Sequence, residues 1–147
     1  MGLQDALFLL SITHTHAQLA QRVVWRRQPR KTSTATVPPD RSQLGRCSWS
    51  LLHSVAAYYP VRPTPAQQRD AEAFFRLFAK LYPCDDCAKD FRAELEASAP
   101  RVSSRADLAQ WLCEQHNIVN RKLGKREFDC SRVDERWRRG WDDGSCS

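Results

Sequence analysis

The stretch that decides the fold of this 147-residue chain is residues 64–87, which read TPAQQRDAEAFFRLFAKLYPCDDC. Thr64 and Gln67 have the spacing of a capping box, and Pro65 occupies the first helical position, which proline favours. The apolar side chains that follow at helical spacing are Phe74, Phe78 and Leu81. The segment therefore predicts an amphipathic helix that buries this stripe and runs to about residue 82.

Pro83 stops that helix and can itself open the next one, because its fixed φ suits a first helical turn. Cys84 and Cys87 then fall in the first turn of a third helix. In that position the helix dipole and the free amides stabilise a thiolate, the species that attacks or leaves in thiol–disulfide exchange. The charges of Asp85 and Asp86 oppose this effect. The apolar positions of the third helix are Ala88, Phe91 and Leu95.

Helices are also predicted on both sides of this segment. Asp40 and Gln43 are spaced as an N-cap and its partner, and they begin a first helix that ends by Pro60. Ser104 caps a fourth helix, which Gly124 ends. The stripes expected to be buried are Leu44, Leu51 and Val55 in the first helix, and Leu108, Trp111 or Leu112, Val119 and Leu123 in the fourth.

A short fifth helix is predicted around residues 131–137, and the sequence contains no alternating strand pattern and no internal repeat. The expected fold is all-α, with four helices and a short fifth. Two polar stripes run along these helices. Their members are spaced i, i+4, i+8 or i, i+3, i+4, i+7, so each set shares one helix face. They are Gly45, Trp49 and His53 in the first helix, and Cys113, His116, Asn117 and Asn120 in the fourth.

The charge of the chain is concentrated before the predicted domain. Residues 1–39 carry +4 of the formal net charge of +6, and the remainder carries +2. We therefore expect a flexible basic extension over residues 1–39 and one folded domain over residues 40–147. Because the domain itself carries little excess positive charge, its composition does not indicate nucleic-acid binding. No run approaches the roughly 18 apolar residues of a membrane span. The Arg-rich, acid-poor extension is typical of a mitochondrial targeting segment. The alternative is a basic extension with no targeting function.

All six cysteines lie after residue 46, which indicates a domain with a thiol or a metal function. Cys84, Cys87, Cys113 and His116 would satisfy a structural Cys3His zinc site. A bridge from Cys113 to Cys130 would instead close a loop of sixteen intervening residues, as a structural disulfide does. The residues alone leave both alternatives open.

Three segments resemble a known family: LGRCSW at 44–49, YPCDDC at 82–87 and WLCEQHNIVN at 111–120 are similar to the Erv/ALR sulfhydryl oxidases. The resemblance covers residues 38–147 and includes NRKLGK at 120–125 and VDERW at 133–137. It implies a four-helix bundle with a short fifth helix and FAD held within the bundle.

The resemblance also implies the site residues and their chemistry. A substrate thiolate would attack Cys84, the outer sulfur, and release Cys87 beside the flavin; electrons would pass from the flavin to oxygen or to cytochrome c. Cys113 and Cys130 would form a structural disulfide. Trp49 and His53 would lie on the adenine side of the flavin site. The full set of implied cofactor-binding residues is Arg41, Gly45, Arg46, Trp49, His53, Cys113, His116, Asn117, Val119, Asn120, Lys122, Lys125, Arg136 and Trp137.

The partners that the resemblance implies are a protein dithiol or a disulfide carrier and a second copy of this chain, in the mitochondrial intermembrane space or in a cytosolic form. Residues 1–46 contain no cysteine, so we expect direct transfer to Cys84 or an external carrier. Related homodimers are bridged from a cysteine before Pro-Pro-Asp, where this chain has Val37. Cys146 is then expected to be unpaired unless Cys47 replaces the missing cysteine. A zinc-stabilised interaction module and a growth-factor-like ligand are the alternative functions.

Overall fold

The computed structural model describes residues 38–141, and all regular structure in that range is helical. None of these helices is long and apolar enough to cross a membrane. The predicted basic extension lies almost entirely outside the described residues and stays a prediction. The four long helices are α1 (Arg41–Ala57), α2 (Pro65–Leu81), α3 (Asp85–Ala97) and α4 (Arg105–Lys122).

Side-chain caps mark where α1, α2 and α4 begin, as the sequence predicts. Asp40 accepts a hydrogen bond at the start of α1, and Thr64 forms the predicted reciprocal capping box with Gln67 at the start of α2. At the start of α4 the side chain of Ser104 accepts from the backbone N–H of Asp107. Gly124 follows the end of α4 with a φ of 64°, a conformation that glycine adopts without a Cβ penalty.

The prediction that Pro83 opens the third helix is wrong, because α3 begins two residues later, at Asp85. Cys84 is the N-cap residue and has an extended backbone, with φ −146° and ψ 102°. Its N–H donates to the carbonyl of Tyr82 at 2.9 Å, which forms a tight turn between α2 and α3. Only Cys87 of the cysteine pair therefore lies inside the helix.

The predicted fifth helix is present as two short turns rather than as regular α-helix. Cys130–Arg132 is a 3₁₀ turn and Glu135–Arg139 is a π-helical turn. We call these two segments the C-terminal turns. The first contacts α4 and the second contacts α1, so the chain after α4 folds back over the α1–α4 pair.

The core lies where the α1–α4 pair meets the α2–α3 pair. Trp111 of α4 is fully buried and meets Phe75 of α2 edge to face, with 5.1 Å between the ring centroids. The indole N–H of Trp111 donates to the carbonyl of Ser98 at 3.1 Å, so this buried polar group is satisfied. The other large, fully buried side chains are Leu52, Leu108 and Leu112.

The predicted buried stripes are partly wrong. Leu51 and Val55 of α1, Leu81 of α2 and Leu123 are exposed. The side chains buried instead are Leu52, His53 and Ala56 in α1, and Phe75 and Ala79 in α2. Since α1 and α2 each have apolar residues on two faces, spacing alone could not select the face that packs inward.

Candidate functional site

The cysteine pair joins the turn after α2 to the first turn of α3. Cys84 and Cys87 are bonded as a disulfide, with 5.3 Å between their Cα atoms. Both residues are half-buried, so the pair is reachable from the surface. Cys87 is the third residue of α3, where helix amides without an intrahelical partner stabilise a negative charge.

Four rings from α1, α4 and the second C-terminal turn form an aromatic cluster: Trp49, His53, His116 and Trp137. Trp49 stacks on His116, with 4.0 Å between centroids and 4° between planes. His53 stacks on Trp137 at 4.6 Å and 6°. The Nε2 of His53 and the Nδ1 of His116 are 3.0 Å apart and share a hydrogen bond. The two polar stripes predicted from spacing therefore meet at this cluster.

Both histidines of the cluster are neutral at physiological pH. Burial lowers the pKa of His53 to about 3, with further contributions from His116 and Arg136. Burial likewise lowers the pKa of His116 to about 4, and the charge of Lys125 adds to the effect. The Nδ1 of His53 is buried and has no hydrogen-bond partner among residues 38–141. A buried polar atom left unsatisfied is expected at a ligand site.

These pKa values predict an acid-sensitive fold. The unfolded chain takes up protons on both histidines below their ordinary pKa of 6.5, whereas the folded chain does so only near pH 3 to 4. Stability present above pH 6.5 is therefore lost as the pH falls. We expect urea denaturation to show decreasing stability from pH 6.5 to 5, above the range in which carboxylates titrate. His53→Gln should reduce that slope, and an unchanged slope would contradict the assignment.

Two of the predicted cationic residues lie near the cluster. The guanidinium of Arg136 is 4.7 Å from the ring centroid of Trp137, and the charge of Lys125 acts on His116. Arg41 and Arg46 lie on the exposed first turns of α1, where Arg46 donates to a neighbouring serine hydroxyl.

The remaining predicted cation, Lys122, forms ion pairs with Asp90 and Glu94 of α3. At Gly45, one turn before Trp49, an added Cβ would meet no atom of another described segment within 4 Å.

Asn117 fastens the segment after α4 to that helix. Its side chain accepts from the backbone N–H of Phe128 at 2.9 Å and donates to the carbonyl of Phe128 at 2.8 Å. Asn120 donates to the same amide oxygen at 3.3 Å. The predicted Cys113–Cys130 disulfide is present beside this pair, with 5.8 Å between Cα atoms. Val119 lies on the same helix and is half-buried.

The alternative zinc site is not assembled. Its three sulfurs are in disulfides, Cys84 with Cys87 and Cys113 with Cys130, whereas zinc binds cysteine as the thiolate. Among residues 38–141 no group of three or more His, Cys, Asp or Glu side chains is placed to hold a metal ion.

The sequence predicts Phe91 only as an apolar position of the third helix, whereas in the structure it connects that helix with the aromatic cluster. Its ring meets Trp49 edge to face at 6.3 Å, and it lies one helical turn after Cys87. The i, i+4 spacing from Cys87 was the available signal. Together these groups suit a flavin dinucleotide. The stacked rings could pack against an adenine, and the neighbouring cations could pair with a diphosphate. The disulfide could exchange electrons with the flavin ring.

Comparisons with known proteins agree with this geometry. A model of the Erv1 / Alr family matches residues 46–138. The chain is 52% identical over 106 residues to the mitochondrial FAD-linked sulfhydryl oxidase ERV1 of Saccharomyces cerevisiae, covering 72% of this chain and 56% of that protein. It is 43% identical over 107 residues to the FAD-linked sulfhydryl oxidase ERV1 of Oryza sativa subsp. japonica, covering 73% and 55%. The chain thus spans little more than half the length of these relatives.

Solved structures give the same result. The crystal structure of the yeast Erv1 core is similar with a TM-score of 0.73 and 48% identity, covering 80% of this chain and 99% of that one. The FAD binding domain of Erv1 from Saccharomyces cerevisiae has a TM-score of 0.69 and 50% identity, covering 71% of this chain and all of that one. The fold, the site and the sequence therefore agree, and this chain belongs to the Erv1 / Alr family.

Proposed function

We propose that this chain is an FAD-linked sulfhydryl oxidase that forms disulfides in protein substrates. The observation that carries the proposal is the disulfide at the start of α3. Cys87 lies one turn before Phe91, whose ring touches Trp49 of the aromatic cluster. Cys87 is therefore the sulfur on the cofactor side, and Cys84, in the turn before the helix, is the sulfur that meets the substrate.

The cysteine pair carries the thiol chemistry. A substrate thiolate attacks the Sγ of Cys84, the Cys84–Cys87 bond breaks, and Cys87 leaves as a thiolate that the helix start stabilises. The second substrate thiolate attacks the substrate sulfur of the mixed disulfide and releases Cys84. The substrate then holds a new disulfide, and its two electrons reside on Cys84 and Cys87.

The cofactor site would be formed by the aromatic cluster with Arg136 and Lys125. Trp49, His53, His116 and Trp137 offer flat faces for stacking, and both histidines are uncharged at physiological pH. When bound, FAD supplies a two-electron acceptor for the reduced cysteine pair. The chain's own contribution is to hold the sulfur of Cys87 in place and keep Cys84 reachable.

The same proposal covers partners and location. We infer that electrons leave to oxygen or to cytochrome c, and that the substrate is a protein dithiol or a disulfide carrier that reaches Cys84. The name of the yeast relative includes "mitochondrial", which supports a mitochondrial location for this chain. Within the mitochondrion we propose the intermembrane space. Assays with each acceptor in turn, with and without oxygen, separate the two electron routes.

An absorbance spectrum and an oxygen-consumption assay test the proposed function together. The purified protein should be yellow, with flavin absorbance, and should consume oxygen when a dithiol is added. A colourless protein that releases zinc on thiol modification would support the interaction module instead. A flavoprotein inactive with every dithiol and acceptor tried would contradict the oxidase proposal and leave a ligand role.

We also propose a homodimer that forms through α1 and α2. Large apolar side chains are exposed at the end of each helix: Tyr58, the C-cap residue of α1, is 70% exposed, and Leu81 of α2 is 75% exposed. Leu51 and Val55 of α1 and Leu77 of α2 are exposed as well. Exposed large apolar side chains in such number indicate a protein contact.

We expect light scattering to give a dimer, and Leu81→Glu to weaken it. The dimer should persist without a covalent bridge, because Val37 stands where related dimers have a bridging cysteine. Both Val37 and Cys146 lie outside the described residues. Cys47 is exposed and has a free thiol. After free thiols are blocked, non-reducing electrophoresis should give a monomer band. A dimer band lost in Cys47→Ser or in Cys146→Ser would contradict this prediction, and a monomer by scattering would contradict the dimer itself.

A further inference from the structure

One ammonium group joins the end of α4 to the middle of α3. The Nζ of Lys122 is 3.1 Å from the Oε1 of Glu94 and 3.4 Å from the Oδ2 of Asp90. The two carboxylates lie one turn apart on α3, so both can reach the same cation. Glu94 is the more buried of them, with a side chain 22% exposed. We call these three residues the acidic clip.

The acidic clip lies on the face of α3 that carries the inner sulfur. Cys87, Asp90, Phe91 and Glu94 have i, i+3, i+4, i+7 spacing and therefore share one helix face. Phe91 contacts Trp49 of α1, while the two carboxylates contact Lys122 of α4. This face is thus attached at two points to the helices that hold the aromatic cluster.

The rest of α3 is attached elsewhere. The helix packs mainly against α2, and Arg92 donates to the carbonyl of Ala79 near the end of α2 at 3.2 Å. Glu96 forms an ion pair with Arg76, also on α2. These contacts attach α3 to α2, whereas its ion pairs with α4 lie on the face that carries Cys87.

We propose that Asp90 and Glu94 are positioning residues which, through Lys122, hold the sulfur of Cys87 at its working distance from the cofactor site. The inference rests on the proposed oxidase function. Lys122 then serves to orient α3 in addition to any contact with the cofactor.

The expected effect falls on rate more than on stability. Ion pairs as exposed as these contribute little to the free energy of folding. Reaction rates, in contrast, are sensitive to displacements of about 1 Å in the reacting groups. Removing the clip should therefore leave the protein folded and flavin-bound while the sulfur of Cys87 moves relative to its partner.

The test is the double variant Asp90→Asn/Glu94→Gln of the flavin-bound protein. We expect anaerobic reduction of the flavin by a dithiol to slow by about three- to tenfold, with flavin content and melting temperature nearly unchanged. A readout independent of turnover is the long-wavelength absorbance band expected from the Cys87 thiolate against the flavin in a Cys84→Ser background. The double variant should weaken that band.

Glu96→Gln is the matched control, because it removes a carboxylate of α3 that pairs with α2 and lies off this face. It should change neither the rate nor the band. An unchanged rate and band in the double variant, with an active parent, would overturn the proposal, as would an equal loss in Glu96→Gln. An inactive parent would contradict the oxidase function itself. If the double variant does not fold, Glu94→Gln alone gives the same decision.

Discussion

Replacing either cysteine of the relay, as Cys84→Ser or Cys87→Ser, is expected to lower dithiol turnover by about a thousandfold or more while FAD stays bound. The reaction requires both sulfurs, since one forms the mixed disulfide and the other leaves. Neither belongs to the aromatic cluster, so retention of the cofactor should not depend on them. Oxygen consumption and flavin absorbance, measured on the same preparation, check the two halves of this expectation.

The two variants should also differ from each other. In Cys84→Ser the sulfur of Cys87 is free at the start of α3, where the helix amides favour its thiolate. A long-wavelength absorbance band at neutral pH is therefore expected in Cys84→Ser and absent in Cys87→Ser. Cys47→Ser, which removes an exposed free thiol, is the matched control and should keep full turnover. Near wild-type activity in either relay variant would refute the mechanism, and a band in the wrong variant would reverse the order of the sulfurs.

The second large effect is expected at His53. Its side chain is 3% exposed, stacks on Trp137 and hydrogen-bonds to His116. His53→Ala removes these contacts and leaves a cavity, which should destabilise the fold by about 2–4 kcal/mol. For a domain of this size the melting temperature should fall by roughly 8–20 °C. Thermal melts with and without added FAD measure the change.

Arg136→His separates cofactor binding from folding. Arg136 is exposed and contacts Trp137 from the outside, so its loss should leave the flavin-free protein almost as stable as before. Because a ligand that binds only the folded state stabilises it by mass action, weaker FAD binding should still lower the melting temperature of the loaded protein. Full flavin content and unchanged melting in Arg136→His would remove this residue from the site.

Much of the fold could be predicted because local signals determine it. The caps at Asp40, Thr64 and Ser104 and the glycine after α4 mark helix ends through hydrogen bonds within a few residues. The start of α3 could not be predicted as well. Proline suits both a first helical turn and the turn before a helix, and the hydrogen bond from Cys84 to Tyr82 selects the second.

The candidate site was predicted in part. Helical spacing places Trp49 and His53 on one stripe and His116 on another, but it does not determine which rings stack on each other. The contacts of Asp90 and Glu94 with Lys122 depend on how α3 crosses α4, and that arrangement is not encoded in any short segment. Asn117 illustrates the same limit, because its partner Phe128 is eleven residues away and offers only backbone atoms.

The paired hydrogen bonds between Asn117 and the backbone of Phe128 have a consequence for biosynthesis. The newly made chain is reduced, and its cysteines can pair in several combinations. Because these hydrogen bonds hold residue 128 against α4 without any covalent bond, we expect them to bring Cys130 near Cys113 in the reduced chain and so to favour the Cys113–Cys130 pairing. We expect the Cys84–Cys87 pair, which joins the turn after α2 to α3, to stay available for exchange with other proteins.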